Sequence, residues 1–237
     1  MLTYLLLFGL GSCFGSFFSV ISERLPLGIS LITPASHCSN CQSSLKARDL
    51  VPVVSYLRLG GRCRYCHLTY PKTSFIAEIV TGLLFCLLTY SHLWTLMFIP
   101  GLLLMLMALL LSLTDSLYLL VEPLIFFPLT LCTALAIWLL KTPFSFHLID
   151  CLFTTAVLTA VSFLLPNSLG YGDILLLSSW SLFLGAYGLN LIIVAACLAA
   201  LLWGITRATK STPIPFVPFL AGALISYLIW QFNQRPF

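Results

Sequence analysis

Four cysteines in this chain have the spacing of metal ligands. Cys38 and Cys41 form one CxxC pair, and Cys63 with Cys66 forms a second pair after the intervening residues 42–62. Four thiolates at this spacing can converge tetrahedrally on one Zn²⁺ when the intervening segment makes a hairpin or a small subdomain. Iron binding and a redox-active pair are alternatives, and disulfides are a weaker one where thiols stay reduced. We expect a structural zinc site.

The remaining candidates around this motif are assigned no chemistry. His37 and His67 each adjoin a predicted ligand, and we interpret them as bystanders or as residues that contact the ligands. The other cysteines lie in apolar runs, where a cysteine is usually a small buried hydrophobe. They are Cys13, Cys86, Cys132, Cys151 and Cys197.

Two aspartates beside apolar runs have the chemistry of an acid and base pair. Asp115 follows Leu113-Thr114, and Asp173 follows Gly170-Tyr171-Gly172. If two carboxylates come within hydrogen-bond reach, one stays protonated while the other activates a water for attack on a peptide carbonyl. Glycines at 170 and 172 let the backbone bend and let another chain approach closely. The alternative is that each aspartate caps or ends a helix.

Other acids have simpler interpretations beside the functional ones. Glu122 lies seven residues after Asp115, about two helical turns on, so it supports the same site or marks a helix edge. Glu78 starts an apolar stretch, where a first-turn acid is favoured by the helix dipole. We expect Asp150 to face water on the outer side.

The elements that must position these groups are membrane helices. Hydrophobic residues make up 60% of the chain and charged residues 8%, and the mean hydropathy is +1.06. Those values exclude a soluble globular, disordered, collagen-like or disulfide-framework protein. We predict an all-α polytopic protein of the lipid bilayer that binds no nucleic acid.

Charge-free runs predict about eight transmembrane helices, or six or seven if short pieces are re-entrant, because a span needs roughly 20 apolar residues. The expected break between the second and third spans lies near Ser91 and His92 or at Pro100. A turn at Gly185, Gly188 and Asn190 would divide the long run near the C-terminus. The runs are 1–22, 79–114 with two spans, 123–140, 151–165, 174–206 with two spans, and 215–232.

The distribution of lysine and arginine orients the chain. Seven of the eleven basic residues lie between Arg24 and Lys72, and short positively charged loops are retained in the cytoplasm. Asp115 and Asp173 then face the cytoplasm, while Lys141 is outside. The first run lacks a preceding positive charge and a clear cleavage site, so we expect a retained helix. The predicted divisions are helix 1–22, cytoplasmic zinc loop 23–74 and membrane core 75–237.

Several motifs together resemble the prepilin leader peptidases, GxGD-class membrane aspartic proteases of type IV pili, type II secretion and competence systems. Residues 15–26 resemble the family's GSFxNVxxRLP, with Ser19 at the usual asparagine. Five further features then follow in the family's order. They are the double CxxC loop, Glu78 to Gly82, the Asp115 segment, Gly170 to Asp173, and Pro215 to Phe219.

The resemblance implies a catalytic pair, Asp115 and Asp173, that cuts prepilins or pseudopilins after a glycine ending a basic leader. It also implies N-methylation of the new N-terminus with S-adenosylmethionine, a bacterial inner-membrane location, and Gly170, Gly172, Glu78 and Arg24 as supporting residues. Glu122 is a further supporting candidate because of its spacing from Asp115. Leu175 replaces a frequent lysine, and Glu122-Pro123 replaces a frequent Pro-Asp. A competence-type member fits these departures.

Two other functions use part of the same pattern. A transporter would use the membrane-edge acids for proton or cation coupling, but it leaves the zinc loop without a purpose. A non-catalytic scaffold would dock a partner through the zinc loop, but it leaves the Gly170 to Asp173 motif without one.

Overall fold

The computed structural model describes residues 2–90, 99–140, 144–165, 169–206 and 215–234. The regular structure of these residues is helical, and the β-structure among them is limited to two isolated bridges. This confirms the predicted all-α class. The α-helices are α1 (Leu2–Arg24), α2 (Val54–Leu59), α3 (Lys72–Tyr90), α4 (Ile99–Tyr118), α5 (Pro123–Leu140), α6 (Leu148–Leu164), α7 (Tyr171–Thr206) and α8 (Val217–Gln234).

Several of these helices can cross a membrane. In the described part of the chain, four segments are long and apolar enough to do so: Leu2–Leu27, Ile99–Tyr118, Pro123–Leu140 and Tyr171–Ile205. Helices α6 and α8 are shorter and also apolar. The chain is therefore a multi-pass membrane protein, as predicted, and the number of eight spans stays a prediction.

Some of the predicted helix boundaries agree with the structure and others do not. Helix α5 covers the predicted run 123–140, whereas α3 begins at Lys72, well before the expected start at 79. The predicted break at Ser91 and His92 lies outside the described residues, and Pro100 lies in the first turn of α4, where proline is compatible with a helix.

Helix α7 is broken at Gly185, which has the left-handed φ of 71°. Trp203 in its second half stacks edge-on against Phe219, with ring centroids 6.3 Å apart. Phe219 lies near the start of α8, the end at which Val217 contacts Asp115, and the charge of Asp173 acts on Asp115. Trp203 and Asp173 therefore lie near the same end of this unit. A straight helix from Asp173 to Trp203 would be ~45 Å long, too long for this arrangement. The predicted turn at Gly185 is confirmed, while Gly188 and Asn190 are helical.

The chain divides into two compact units, residues 1–94 and 95–237. In the first unit, α1 packs closely on α3 through Gly11 and Gly15. A Cβ at Gly15 would lie 2.6 Å from the carbonyl oxygen of Ala77, so only glycine permits this approach. Small residues four apart let membrane helices pack backbone to backbone.

In the second unit, α4 packs against α5 and α8, and α7 packs against α6 and α8. The α6–α7 contact carries two hydroxyl pairs, Thr154 with Ser181 and Thr155 with Ser178, each 2.9 Å between oxygens. Such hydrogen bonds between apolar helices fix their register without a charged group. The apolar core includes Leu104, Met105, Leu111, Trp180, Phe183 and Leu224.

Candidate functional sites

The two CxxC pairs lie on two turns of the same design. In the first, the N–H of Cys38 donates to Ser43 and the N–H of Gln42 donates to the carbonyl of Cys38. In the second, Cys63 donates to Leu68 and His67 donates to Cys63 in the same way. Gln42 and His67 both have left-handed φ angles, 55° and 59°. Each turn thus presents two sulfurs on one side.

The turns bring the four predicted ligands together. The Sγ atoms of Cys38, Cys41, Cys63 and Cys66 all lie within 4.8 Å of one another, a group that could hold a metal ion. The Sγ atoms of Cys38 and Cys66 are 3.8 Å apart, and those of Cys41 and Cys63 are 4.0 Å apart. Four sulfurs converging from two turns are the donor set that tetrahedral Zn²⁺ prefers.

At two of the four cysteines, Cys41 and Cys63, local hydrogen bonds favour the thiolate form that a metal binds. Backbone N–H groups of Cys66 and Tyr65 lower the pKa of the Cys63 thiol to about 6. The Ser43 hydroxyl, 2.9 Å from Cys41 Sγ, lowers the pKa of the Cys41 thiol. A lowered thiol pKa means that less free energy is needed to deprotonate the ligand before it binds a metal.

A side-chain pair that sequence reasoning missed holds the second turn. Arg64, between Cys63 and Cys66, donates from Nε and Nη2 to Oδ1 of Asp49 at 2.8 and 2.5 Å. The Arg64 hydrogen bonds lower the pKa of the Asp49 carboxyl. The presence of an arginine inside a CxxC pair was the available signal, but the sequence does not indicate which acid it meets.

The histidines and remaining cysteines take no part in this cluster. His37 Nδ1 lies 2.9 Å from the carbonyl of Ala35. The expectation of buried cysteines is wrong for Cys13, Cys132 and Cys197, which are exposed. A membrane helix can place such apolar side chains toward lipid, so an apolar run does not imply burial inside the protein.

The predicted aspartates come from two different helices of the second unit. Asp115 lies in the last turn of α4 and is 8% exposed, and its Oδ2 accepts a 3.0 Å hydrogen bond from the N–H of Val217. Asp173 lies in the first turn of α7, whose preceding Gly170 accepts from the Asp173 N–H. The two carboxylates lie near enough for the charge of Asp173 to act on Asp115.

Gly172 shows why the α7 start carries glycines. A Cβ there would lie 2.6 Å from Cβ of Val121, which follows α4. The start of α7 therefore rests directly on the segment after Asp115. At Gly170 the same added atom would make an ordinary contact with Asp173, at 3.5 Å from Oδ2. The close approach thus requires glycine at 172 and not at 170.

Comparison with known proteins shows the family of this chain. Residues 9–92 match the family model of the bacterial peptidase A24 N-terminal domain. A prepilin leader peptidase/N-methyltransferase of Pectobacterium carotovorum subsp. carotovorum is 30% identical over 94% of this chain and 92% of the relative. This chain belongs to the prepilin leader peptidase/N-methyltransferase family.

Other prepilin leader peptidase/N-methyltransferases are similar along nearly the whole chain. The one from Bacillus subtilis (strain 168) is 29% identical over 96% of this chain and 94% of the relative. The one from Pseudomonas aeruginosa is 29% identical over 93% of this chain and 88% of the relative. No solved structure matches the chain. Membership in a family of enzymes makes this chain an enzyme.

Two other acids considered in the sequence analysis, Glu122 and Asp150, accept hydrogen bonds from backbone N–H groups. Glu122 is buried, and its Oε1 accepts from the N–H of Leu124 at 3.4 Å, so it caps the start of α5. Asp150 is not simply turned to water, because its Oδ2 accepts from the N–H of Ala186 at 2.9 Å, next to the Gly185 break. That carboxylate satisfies a backbone donor exposed where α7 is interrupted.

Two predicted supporting residues, Arg24 and Glu78, lie in the first unit. Arg24 ends α1, and its Nη1 donates to the carbonyl of Ser30 at 3.0 Å, which closes the following turn. The expectation of a first-turn position for Glu78 is wrong, because α3 begins at Lys72 and Glu78 lies in its second turn. Its Oε2 accepts from the N–H of Val53 at 2.7 Å.

Proposed function

We propose that this chain is a membrane aspartic endopeptidase that removes the basic leader of prepilins or pseudopilins after a glycine. The observation that carries the proposal is the juxtaposition of Asp115 and Asp173. Both lie at helix ends in one unit, and Gly172 brings the α7 start against the segment after Asp115. Paired carboxylates near one another are the working groups of aspartic proteases.

In this mechanism the two carboxylates share one proton. The ionised one takes a proton from water, the resulting hydroxide attacks the peptide carbonyl, and the protonated partner donates to the carbonyl oxygen. The tetrahedral intermediate then collapses: the first carboxyl gives its proton to the leaving amine as the C–N bond breaks, and the second takes back a proton from the hydroxyl that becomes the new carboxyl group. Val217 holds Asp115 in a fixed orientation through its N–H. The dipole at the N-terminus of α8 adds a favourable interaction with negative charge at that position.

The four cysteines are proposed to bind one structural Zn²⁺. The donor set fits, because four sulfurs lie within 4.8 Å of one another on two matching turns. Bound zinc would cross-link the segment 23–74, which has little regular structure of its own. In a short segment of this kind, metal binding contributes directly to folding.

A second activity, N-methylation of the new N-terminal residue with S-adenosylmethionine, is supported by the relatives, which are named as N-methyltransferases. S-adenosylmethionine would supply an electrophilic methyl group to the free amine. The first unit has a cleft of about 230 Å³. Pockets that enclose a whole small molecule measure roughly 300–1,000 Å³. This cleft is smaller, so we do not propose it as the site of the whole cofactor.

The proposed location is the bacterial inner membrane, with the dyad facing the cytoplasm. The basic residues between Arg24 and Lys72 support this orientation, since short basic loops stay cytoplasmic. The proposed division into helix 1–22, zinc loop 23–74 and core 75–237 follows from the same reasoning. The family resemblance implies substrates with a basic leader, and such a leader would remain on the cytoplasmic side.

The deciding experiment mixes the purified protein with a peptide that carries a basic leader, a glycine and an apolar stretch. Asp115→Asn and Asp173→Asn are each expected to lower cleavage about 10³-fold or more, since removing one member of a catalytic unit disables it. Asp150→Asn is the matched control, because the amide oxygen still accepts from Ala186. Near wild-type cleavage by either dyad variant would favour the transporter or scaffold functions.

A further inference from the structure

Glu78 is a buried carboxylate that lines a cleft of mixed polar and apolar character in the first unit. The cleft measures about 230 Å³ and lies between α1, α3 and the cysteine-bearing segment. Side-chain hydroxyls line much of it, including Ser16, Ser55 and Ser74. Glu78 itself is 7% exposed, and Ser74 lies one turn before it on the same face of α3.

The charge of Glu78 has no partner cation among the described residues. Its Oε2 accepts from the Val53 N–H, while no described residue donates to Oε1 and none forms an ion pair with it. Asp49, the other deeply buried carboxylate of the cleft, is already paired with Arg64. An ionised carboxylate removed from water is costly unless a cation or several donors compensate it.

The cleft as a whole favours a positive guest. Among its charged lining residues, Asp49 is already paired with Arg64, and Glu23 and Arg24 carry opposite charges, so the excess negative charge corresponds to one carboxylate. Arg24 directs Nη1 to the carbonyl of Ser30. The cleft therefore has one buried carboxylate, Glu78, that forms no ion pair with any described residue.

The same surroundings favour an organic cation over a metal ion. Among the described residues, three or more metal-ligating side chains come together at the four cysteines. Glu78 has no second or third ligating side chain of this kind beside it. Beside Glu78 stand Tyr56 and Phe75, stacked with ring centroids 4.2 Å apart, which supply an apolar wall. A carboxylate, several hydroxyls and an aromatic wall match an ammonium group next to a hydrophobic side chain.

We propose that this cleft binds a primary ammonium group, with Glu78 as its counter-ion. The inference rests on the proposed function for the source of that group. One source is the α-amine that leader cleavage creates, and the other is a lysine ε-ammonium of the leader. The cleft holds the amine end of a chain, in keeping with its small volume.

Binding to the full-length protein in detergent tests this with three small probes, measured by isothermal titration. Phenylalaninamide carries an α-ammonium, Nα-acetyl-lysinamide carries an ε-ammonium, and N-acetyl-phenylalaninamide carries neither. We expect at least one of the cationic probes to bind and the neutral probe to bind at least tenfold more weakly. Preference for phenylalaninamide identifies the α-amine, and preference for acetyl-lysinamide identifies the leader lysine.

Glu78→Gln is expected to weaken binding of the preferred cation about tenfold, because the amide keeps an acceptor for Val53 and loses the charge. Glu122→Gln is the matched control, since it neutralises an equally buried glutamate that also accepts one backbone N–H. Metal retained by the cysteines reports that the first unit of the Glu78→Gln protein is folded.

Two results would overturn the proposal. One is a wild-type protein that binds the neutral and cationic probes equally, a comparison that needs no variant. The other is a metal-retaining Glu78→Gln protein with unchanged affinity for the cations. Neither readout involves peptide cleavage, so failure here is separate from failure of the aspartate dyad.

Discussion

The N–H of Val217 donates a 3.0 Å hydrogen bond to Oδ2 of Asp115, a residue 102 positions earlier in the chain. Val217 is the first residue of α8 and is fully buried. The start of one helix thereby orients a proposed catalytic carboxylate at the end of another. Of the proposed pair, Asp115 is the member tied to a third helix.

Val217→Pro tests this contact, because proline removes the N–H and is tolerated at the first position of a helix. We expect cleavage to fall about 10-fold to 100-fold, the effect of losing one positioning hydrogen bond in an active site. Val217→Ala keeps the N–H and should retain most of the activity. Equal losses in both variants would show that side-chain packing matters and the hydrogen bond does not.

Gly172→Ala is expected to lower cleavage about tenfold or more, since a 1 Å misplacement can cost as much as 10²-fold in rate. The added Cβ would lie 2.6 Å from Cβ of Val121 and would push α7 away from the segment after Asp115. Gly170→Ala is the neighbouring comparison and should cost less, because its Cβ makes an ordinary 3.5 Å contact. Adding Val121→Gly to Gly172→Ala should restore part of the rate. A peptide-cleavage time course decides between these outcomes.

Purified protein is expected to carry about one Zn²⁺ per chain, as a single four-cysteine site requires. The double variant Cys38→Ser with Cys63→Ser removes one ligand from each turn and should lose the metal and expose residues 23–74 to protease. Cys13→Ser, at a cysteine of α1 outside the cluster, should keep it. Elemental analysis of the three proteins is the measurement. A metal-free wild-type protein would contradict the assignment.

The Asp49–Arg64 pair predicts a pH-dependent stability of the first unit. Because Arg64 lowers the pKa of Asp49 below its ordinary 3.8, the pair stabilises the fold fully above that value. The stabilisation is lost as the pH falls through the lower pKa of the folded state. Asp49→Asn should therefore be less stable than the wild type at pH 7, and the difference should disappear in strong acid.

Thermal unfolding in detergent, from pH 7 down into strong acid below the folded-state pKa of Asp49, measures this difference. Glu122→Gln serves as control, since its carboxylate accepts a single backbone N–H of α5 and lies in the other unit. A difference between Asp49→Asn and wild type that stayed constant over the whole pH range would show that the pair acts through packing alone.

Several features of the protein follow from the sequence by itself. The four metal-ligand candidates were predictable because each CxxC pair is local, and a tight turn between its cysteines dictates where both sulfurs point. The helical class followed from apolar runs, since backbone groups in lipid must be satisfied within the segment. The break at Gly185 followed from the length of the last long run and the glycine within it.

Other features were decided by the tertiary structure, because they depend on how distant helices dock. Nothing near Asp115 in the sequence indicates that Val217 would donate to it, and Gly172 meets Val121 across a different helix end. Burial was also undetermined, as exposed Cys132 shows, because lipid and protein interior are equally apolar to a membrane helix. Glu78 resembled an ordinary helix-start acid, and only packing of α1 and the loop onto α3 placed it in a cleft.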